Sequence, residues 1–138
     1  MVKLGKTIPA GDLFQLDDAS SIPVWLQLKN RFIYLITSGF YLPGDQLPTV
    51  RGLAAEVEVN YNTVSKVYVN LESDGYVESV RGRGVFVRDI GGKADDVRSI
   101  ADTEIEGCIR RCLALGMTID EVTLRMMDVA HRLKDEKS

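Results

Sequence analysis

The stretch from Thr49 to Val87 constrains the fold more than any other part of the chain, because it joins two short helical periods to a glycine-punctuated hairpin. Thr49 can cap the free N–H groups of a helix whose apolar face is Val50, Leu53, Ala54 and Val57. Asn60 is the next capping residue. Val64, Val67, Tyr68 and Leu71 then recur at the spacing of one helical face until Asp74-Gly75 supplies a stop. Two short helices joined by a brief turn are predicted to form a helix-turn-helix. Beyond them, Tyr76 to Val80 alternates weakly, Arg81-Gly82-Arg83-Gly84 is a turn, and Val85-Phe86-Val87 is rich in strand formers. A hairpin with a basic tip is expected there.

The flanking sequence completes a mainly α fold with a small β-hairpin wing and a carboxy-terminal helical hairpin. Residues 1–21 show no sustained period and are expected to form an extended arm, with Phe14 and Leu16 packing on the domain. Ser21-Ile22-Pro23 reads as the start of a helix whose face is Trp25, Leu28, Phe32, Leu35 and Ile36, ending near Ser38-Gly39. The winged helix-turn-helix is therefore placed at 22–90. After the Gly91-Gly92 hinge, a two-helix region is expected over 93–135. Its first stripe is Val97, Ala101, Ile105, Cys108 and Cys112, and its second is Val122, Met126 and Val129, opened by a capping box at Thr118 and Glu121. Both stripes are wide, and one hairpin cannot cover its own apolar surface. A second copy of the chain is the expected cover, and these residues are the expected dimer interface.

Composition limits what this framework can do. With 138 residues, 45% hydrophobic and 27% charged, the chain suffices for one compact domain and a small appendage. No apolar run approaches the roughly 20 residues of a spanning helix and Met1 to Lys6 opens no secretory signal, so a cytoplasmic protein without a membrane partner is expected. Cys108 and Cys112 share a helical face; a redox or metal role with His131 and acidic side chains is open, while buried small hydrophobes are the simpler reading. No glycine-rich phosphate loop, nucleophile motif or paired His site points to an enzyme, a metal or a cofactor. The net charge of −3 is unlike that of many nucleic-acid binders, so the placement of the cations decides the matter.

That placement favours DNA. If Val64, Val67, Tyr68 and Leu71 face inward, then Tyr61, Asn62, Ser65, Lys66 and Val69 are left outside near the start of the second helix of the motif. This end enters a major groove, where Asn can pair with adenine and Lys with phosphate. Arg81 and Arg83 flank Gly82 at a tip where backbone can approach a sugar-phosphate edge. A solvated polar face, or a winged helix that docks a protein without reading DNA, remains the alternative.

The runs from Leu42 to Ala54, Asn60 to Tyr68, Leu71 to Val77 and Arg81 to Val87 closely resemble the GntR family of bacterial repressors, over about Ile22 to Arg88. The two-helix tail resembles its YtrA subfamily, which lacks large effector domains. The resemblance implies a repressor that regulates its own operon; pairing through the tail makes it a homodimer on a palindromic operator, and release would require a ligand or partner, with an unidentified small-molecule effector left open. The resemblance assigns Thr49 and Arg51 to the start of one helix, Asn60, Tyr61, Asn62, Thr63, Ser65 and Lys66 to the reading segment, and Arg81, Gly82 and Arg83 to the wing. Gly52 departs from the family, which usually has Glu or another helix former there, and weakens its helix slightly.

Overall fold

A computed structural model of the chain describes residues 10–91 and 93–136, with side-chain surroundings for 12–91 and 98–136. Its elements run α1 (Ala10–Leu13), α2 (Val24–Thr37), α3 (Val50–Val57), α4 (Tyr61–Ser73), β1 (Val77–Val80), β2 (Gly84–Val87), α5 (Lys93–Ala114) and α6 (Ile119–Asp135). The architecture is mainly helical with one antiparallel hairpin. By packing, the chain divides into two compact units, the division falling within α5 between Val97 and Arg98.

In the first unit, α2 and α3 both pack on α4, and α4 packs on β1. Helical spacing is what brings the core together: Leu28, Phe32, Leu35 and Ile36 from α2 meet Leu53 and Ala54 from α3 and Val64, Val67, Tyr68 and Leu71 from α4. Phe32 is the aromatic hub, its ring centroid 4.7 Å from Phe14, 5.4 Å from Tyr68 in an edge-on arrangement and 6.5 Å from Tyr41. Helix α2 opens one residue later than Pro23, which stands as its N-cap with no side-chain cap bond.

The amino-terminal segment differs from the extended arm expected of it. Residues 10–13 form the turn of α1, which packs on α3, and Leu13 and Phe14 are buried core residues. Gln27 clamps the segment between α1 and α2, accepting from the Asp17 N–H at 2.8 Å and donating to the Asp17 and Ile22 carbonyls at 2.8 and 2.7 Å. Arg31 Nε donates to the Leu13 carbonyl at 2.8 Å. A segment without period can still be held when a neighbouring helix satisfies its backbone groups.

Caps define α3 and α4 as their sequences foretell. The Thr49 hydroxyl accepts from the Gly52 N–H at 3.0 Å, and Asn60 Oδ1 accepts from the Asn62 N–H at 2.8 Å. Gly52 has a local reason to be glycine, since a Cβ there would stand 2.8 Å from the capping Thr49 Oγ1. Between the helices Glu58 adopts φ 55° and ψ 44°, the left-handed conformation that a side chain disfavours. Glu58→Gly should therefore raise stability by about 0.5–1 kcal/mol, read as a thermal midpoint several degrees higher at equal protein concentration.

The hairpin pairs Val77 with Val87 and Val80 with Gly84, which sends the two outermost valines, Val77 and Val87, into the core together. A further segment, which periodicity does not reveal, joins it. Gln46 bridges Phe86 in antiparallel sense, the Leu47 N–H donates to the Val85 carbonyl at 2.9 Å, and the Val87 N–H donates to the Asp45 carbonyl at 2.8 Å. The segment leading into α3 is thus a third edge of the wing.

In the second unit, Gly116 at φ 97° ends α5 and the Thr118–Glu121 capping box opens α6. The Thr118 backbone N–H, and secondly its hydroxyl, bond to this exposed end and hold the Glu121 carboxyl below its ordinary range. Apolar side chains stand open along both helices, among them Ile100, Ile105, Leu124, Met127 and Leu133. Among the described residues no helix is long and apolar enough to cross a membrane.

Candidate nucleic-acid interface

The first turns of α4 present a polar face because Val64, Val67, Tyr68 and Leu71 are spent on the core. Val64 and Val67 are fully buried, whereas Tyr61 is half exposed and Asn60, Asn62 and Lys66 are open to solvent. Thr63 and Ser65 lie half-buried at the edges of that face, and Val69 extends it as an exposed apolar side chain. Asn60 is partly committed, because its Oδ1 is the cap of α4 and only its amide group is free to reach outward. The carboxamide of Asn62 carries no such duty, since only its backbone N–H serves the cap. Thr49 resembles Asn60: its oxygen accepts the cap bond while its O–H remains a donor.

Three of the four cations assigned by sequence rest against aromatic rings. The Arg51 guanidinium lies 5.8 Å from the Tyr61 ring centroid, Lys66 Nζ lies 5.3 Å from that of Trp25, and the Arg83 guanidinium lies 5.8 Å from that of Phe86. At exposed sites such contacts contribute about 0.5–1 kcal/mol, enough to bias a rotamer without immobilising it. Each ring thereby limits the side-chain freedom that a cation would lose on meeting a phosphate. Trp25 was legible only as an α2 core residue, and its second role appears when α2 packs on α4. Arg81, Gly82 and Arg83 are exposed at the tip, with Gly82 at φ 76° and the Arg83 N–H donating to the Val80 carbonyl at 2.9 Å.

A cleft of about 300 Å³ separates the wing from the starts of α3 and α4, lined by Pro48, Thr49, Arg51, Tyr61, Tyr68 and Val85 among others. Its floor is held by Tyr68, whose hydroxyl donates to the Pro48 carbonyl at 2.6 Å. Burial, with Tyr41 as a second cause, pushes the Tyr68 phenol far above its ordinary range, so it stays a donor. Burial and then the nearby Asp45 raise Tyr41 to about 12.

Two of the acidic residues that balance these cations are engaged elsewhere. Glu72 accepts from the Ser79 N–H at 2.7 Å, tying β1 to α4, and Asp74 pairs with Lys29 at 2.8 Å. Both stand at the far end of α4, about 18 Å along the axis from Tyr61. These two carboxylates lie away from the start of α4, whereas Glu58 stands exposed in the turn just before its Asn60 cap.

The second unit disposes of the expected dimer residues unevenly. Ala101, Ile105 and Val129 are exposed, and Cys108, Cys112 and Met126 are half-buried, both thiols being free. Val122 requires a correction: it is 2% exposed, closed off inside the protomer and unable to meet a partner directly. Its position just after the capping box places it inward. Val97 lies outside the residues whose side-chain surroundings are described. Among the described residues no three His, Cys, Asp or Glu side chains gather where they could hold a metal ion.

A family profile described as bacterial regulatory proteins, gntR family, matches residues 26–87. The uncharacterized helix-turn-helix transcriptional regulator YhcF of Bacillus subtilis is 35% identical over 104 residues, which are 75% of this chain and 86% of that protein. The transcriptional repressor YtrA of the same organism is 43% identical over 75 residues, 54% of this chain and 58% of its own length. Among solved structures, YtrA from Sulfolobus acidocaldarius, a GntR-family transcription factor, superposes with a TM-score of 0.54 at 31% identity, covering 68% of this chain and 98% of that one.

Proposed function

This chain belongs to the GntR family of bacterial regulatory proteins, and on that premise we infer that it is a sequence-specific transcriptional repressor acting on a palindromic operator as a homodimer. The observation that carries the reading is the exposed start of α4, where Asn62 and Lys66 stand clear of the core beside Arg51. In this reading Asn62 and the free amide of Asn60 meet base edges, and Ser65, Thr63, Tyr61 and the Thr49 hydroxyl meet bases or phosphates. Arg51 and Lys66 neutralise phosphates flanking the major groove, while Arg81 and Arg83 follow Gly82 toward the minor groove.

The open apolar faces of α5 and α6 would be covered by the same faces of a second copy, through Ala101, Ile105, Met126 and Val129 with Cys108 and Cys112 at the margin. Residues 93–135 then serve as the pairing region and 22–90 as the reader. A two-fold pair demands half-sites about one helical turn apart or a multiple of it. Such a protein works in the cytoplasm, where the chromosome is. Ile36, Tyr41, Leu42, Pro43, Val87 and Ile90 line a cavity of about 190 Å³ beside the exit to the hinge, room for an effector of roughly ten heavy atoms.

Selection of duplexes from a random-sequence pool tests the whole reading. The expected result is enrichment of one palindromic site, with titration followed through Trp25, the sole tryptophan, and a dimer in sedimentation at micromolar concentration. Absence of any enriched site, or a monomer at that concentration, would overturn it.

A further inference from the structure

Gln46 stands one residue before the Leu47-Pro48 pair that delivers the chain to the Thr49 cap. Its backbone bridges Phe86, and its side chain reaches further, to the wing tip, where Nε2 donates to the Arg83 carbonyl at 3.0 Å. The carboxamide occupies the space that Gly84 leaves empty: a Cβ on Gly84 would come within 2.5 Å of Gln46 Nε2. Gly84 also has φ 127°, so the turn is shaped both to adopt an unusual backbone and to admit this side chain.

Apart from the Arg83–Phe86 ring contact, which restrains a side chain, the tip backbone has little else to fix it. Beyond the Val80–Gly84 pair, it keeps the bond from the Arg83 N–H to the Val80 carbonyl, and nothing lies within 4 Å of where a Gly82 Cβ would be. Gln46, by contrast, belongs to a fixed segment. Leu47 is buried and hydrogen-bonded to Val85, and the Pro48 carbonyl is held by Tyr68. A bond from Gln46 to the tip therefore ties the wing's arginines to the same support that carries Thr49 and Arg51.

We propose that Gln46 is a positioning residue for DNA binding: by holding the Arg83 carbonyl it presets the wing tip relative to the start of α3. The inference rests on the DNA-binding reading given above. Gln46 acts through Arg83 rather than by touching DNA, and its effect is to lessen the ordering that the tip would otherwise undergo on binding.

Gln46→Met keeps the length and neutrality of the side chain and removes the donor. On the duplex that the wild-type protein enriches most from a random-sequence pool, Kd should rise about two- to tenfold, the range of one lost hydrogen bond, with the thermal midpoint lowered by no more than several degrees. Trypsin should cut after Arg81 and Arg83 several times faster than in the wild type. In a background carrying both Arg81→Ala and Arg83→Ala the same substitution should change Kd by less than about twofold, because no wing arginine remains to be aimed. An undiminished effect in that background would show that Gln46 contacts DNA itself and would overturn the proposal. Wild-type Kd and wild-type cleavage rates in Gln46→Met would overturn it equally. If the wild-type protein enriches no duplex, the DNA reading fails and takes this role with it, whereas failure of Gln46 alone shows as an unchanged trypsin rate in a protein that does select a site.

Discussion

A protein carrying Arg51→Ala, Lys66→Ala, Arg81→Ala and Arg83→Ala should lose more than about a thousandfold in affinity for its selected duplex at moderate salt while staying folded at the temperature of the binding assay. Each substitution removes an exposed cation, and a dimer would lose the set twice. Three of the four also lose a ring contact of about 0.5–1 kcal/mol each, so the midpoint should fall by between several degrees and about 15 °C, and binding is read at a temperature where circular dichroism shows the variant folded. Salt dependence gives a second signature. The slope of log K against log salt should flatten by about 0.9 for every phosphate contact removed. Because the chain carries a formal net charge of −3, nonspecific affinity should be modest, and the wild type should prefer its selected duplex over a scrambled one at both low and high salt. Equal mobility shifts for variant and wild type would contradict the assigned surface. A variant that keeps a protein partner, in a wild type indifferent to DNA sequence, would mark an adaptor instead.

Phe32→Ala should lower stability by about 3–5 kcal/mol, a large share of the roughly 5–15 kcal/mol that holds a domain of this kind. Phe32 is fully buried, and its ring meets Phe14, Tyr41 and Tyr68 at once, so removing it leaves a cavity bounded by three aromatic rings and several helices. The consequence reaches the DNA-facing surface, because Tyr68 loses a neighbour while its hydroxyl supports Pro48 beneath the cleft. Thermal melting at fixed concentration should show a fall of roughly 15–30 °C. Tyr34→Ala on the same helix is the control: Tyr34 is 46% exposed and stacks only loosely with Arg31 at 5.5 Å, so its loss should move the midpoint by a few degrees at most. A Phe32→Ala protein that melts with that control would show that the aromatic hub does not anchor the unit.

Several features of the fold could be read before any coordinates because they depend on neighbours along the chain. The caps at Thr49, Asn60 and Thr118, the stop at Gly75 and the inward faces of α2, α3 and α4 all arise from side chains that reach backbone groups within one turn, or from helical spacing. The basic tip was equally legible, since two arginines around a glycine declare an exposed turn. Val122 was misassigned for an instructive reason. Periodicity tells which side chains share a stripe, but a stripe at the start of a helix can be closed by the protomer itself, and only packing distinguishes the two outcomes.

Sequence alone therefore determined the caps of α3 and α4, the inward faces of α2, α3 and α4, the class of fold, the family and the exposed cations proposed to meet DNA, but not α1. Tertiary structure decided how those cations are held: Lys66 over Trp25 across two helices, Arg83 over Phe86 across a hairpin, and Gln46 bonded to the Arg83 carbonyl from 37 residues away. It also decided that Leu13 and Phe14 close the core. The reason is one of range. Caps and periods are set within a few residues by backbone geometry, whereas a contact between distant segments forms only when the buried core has already fixed where each segment lies.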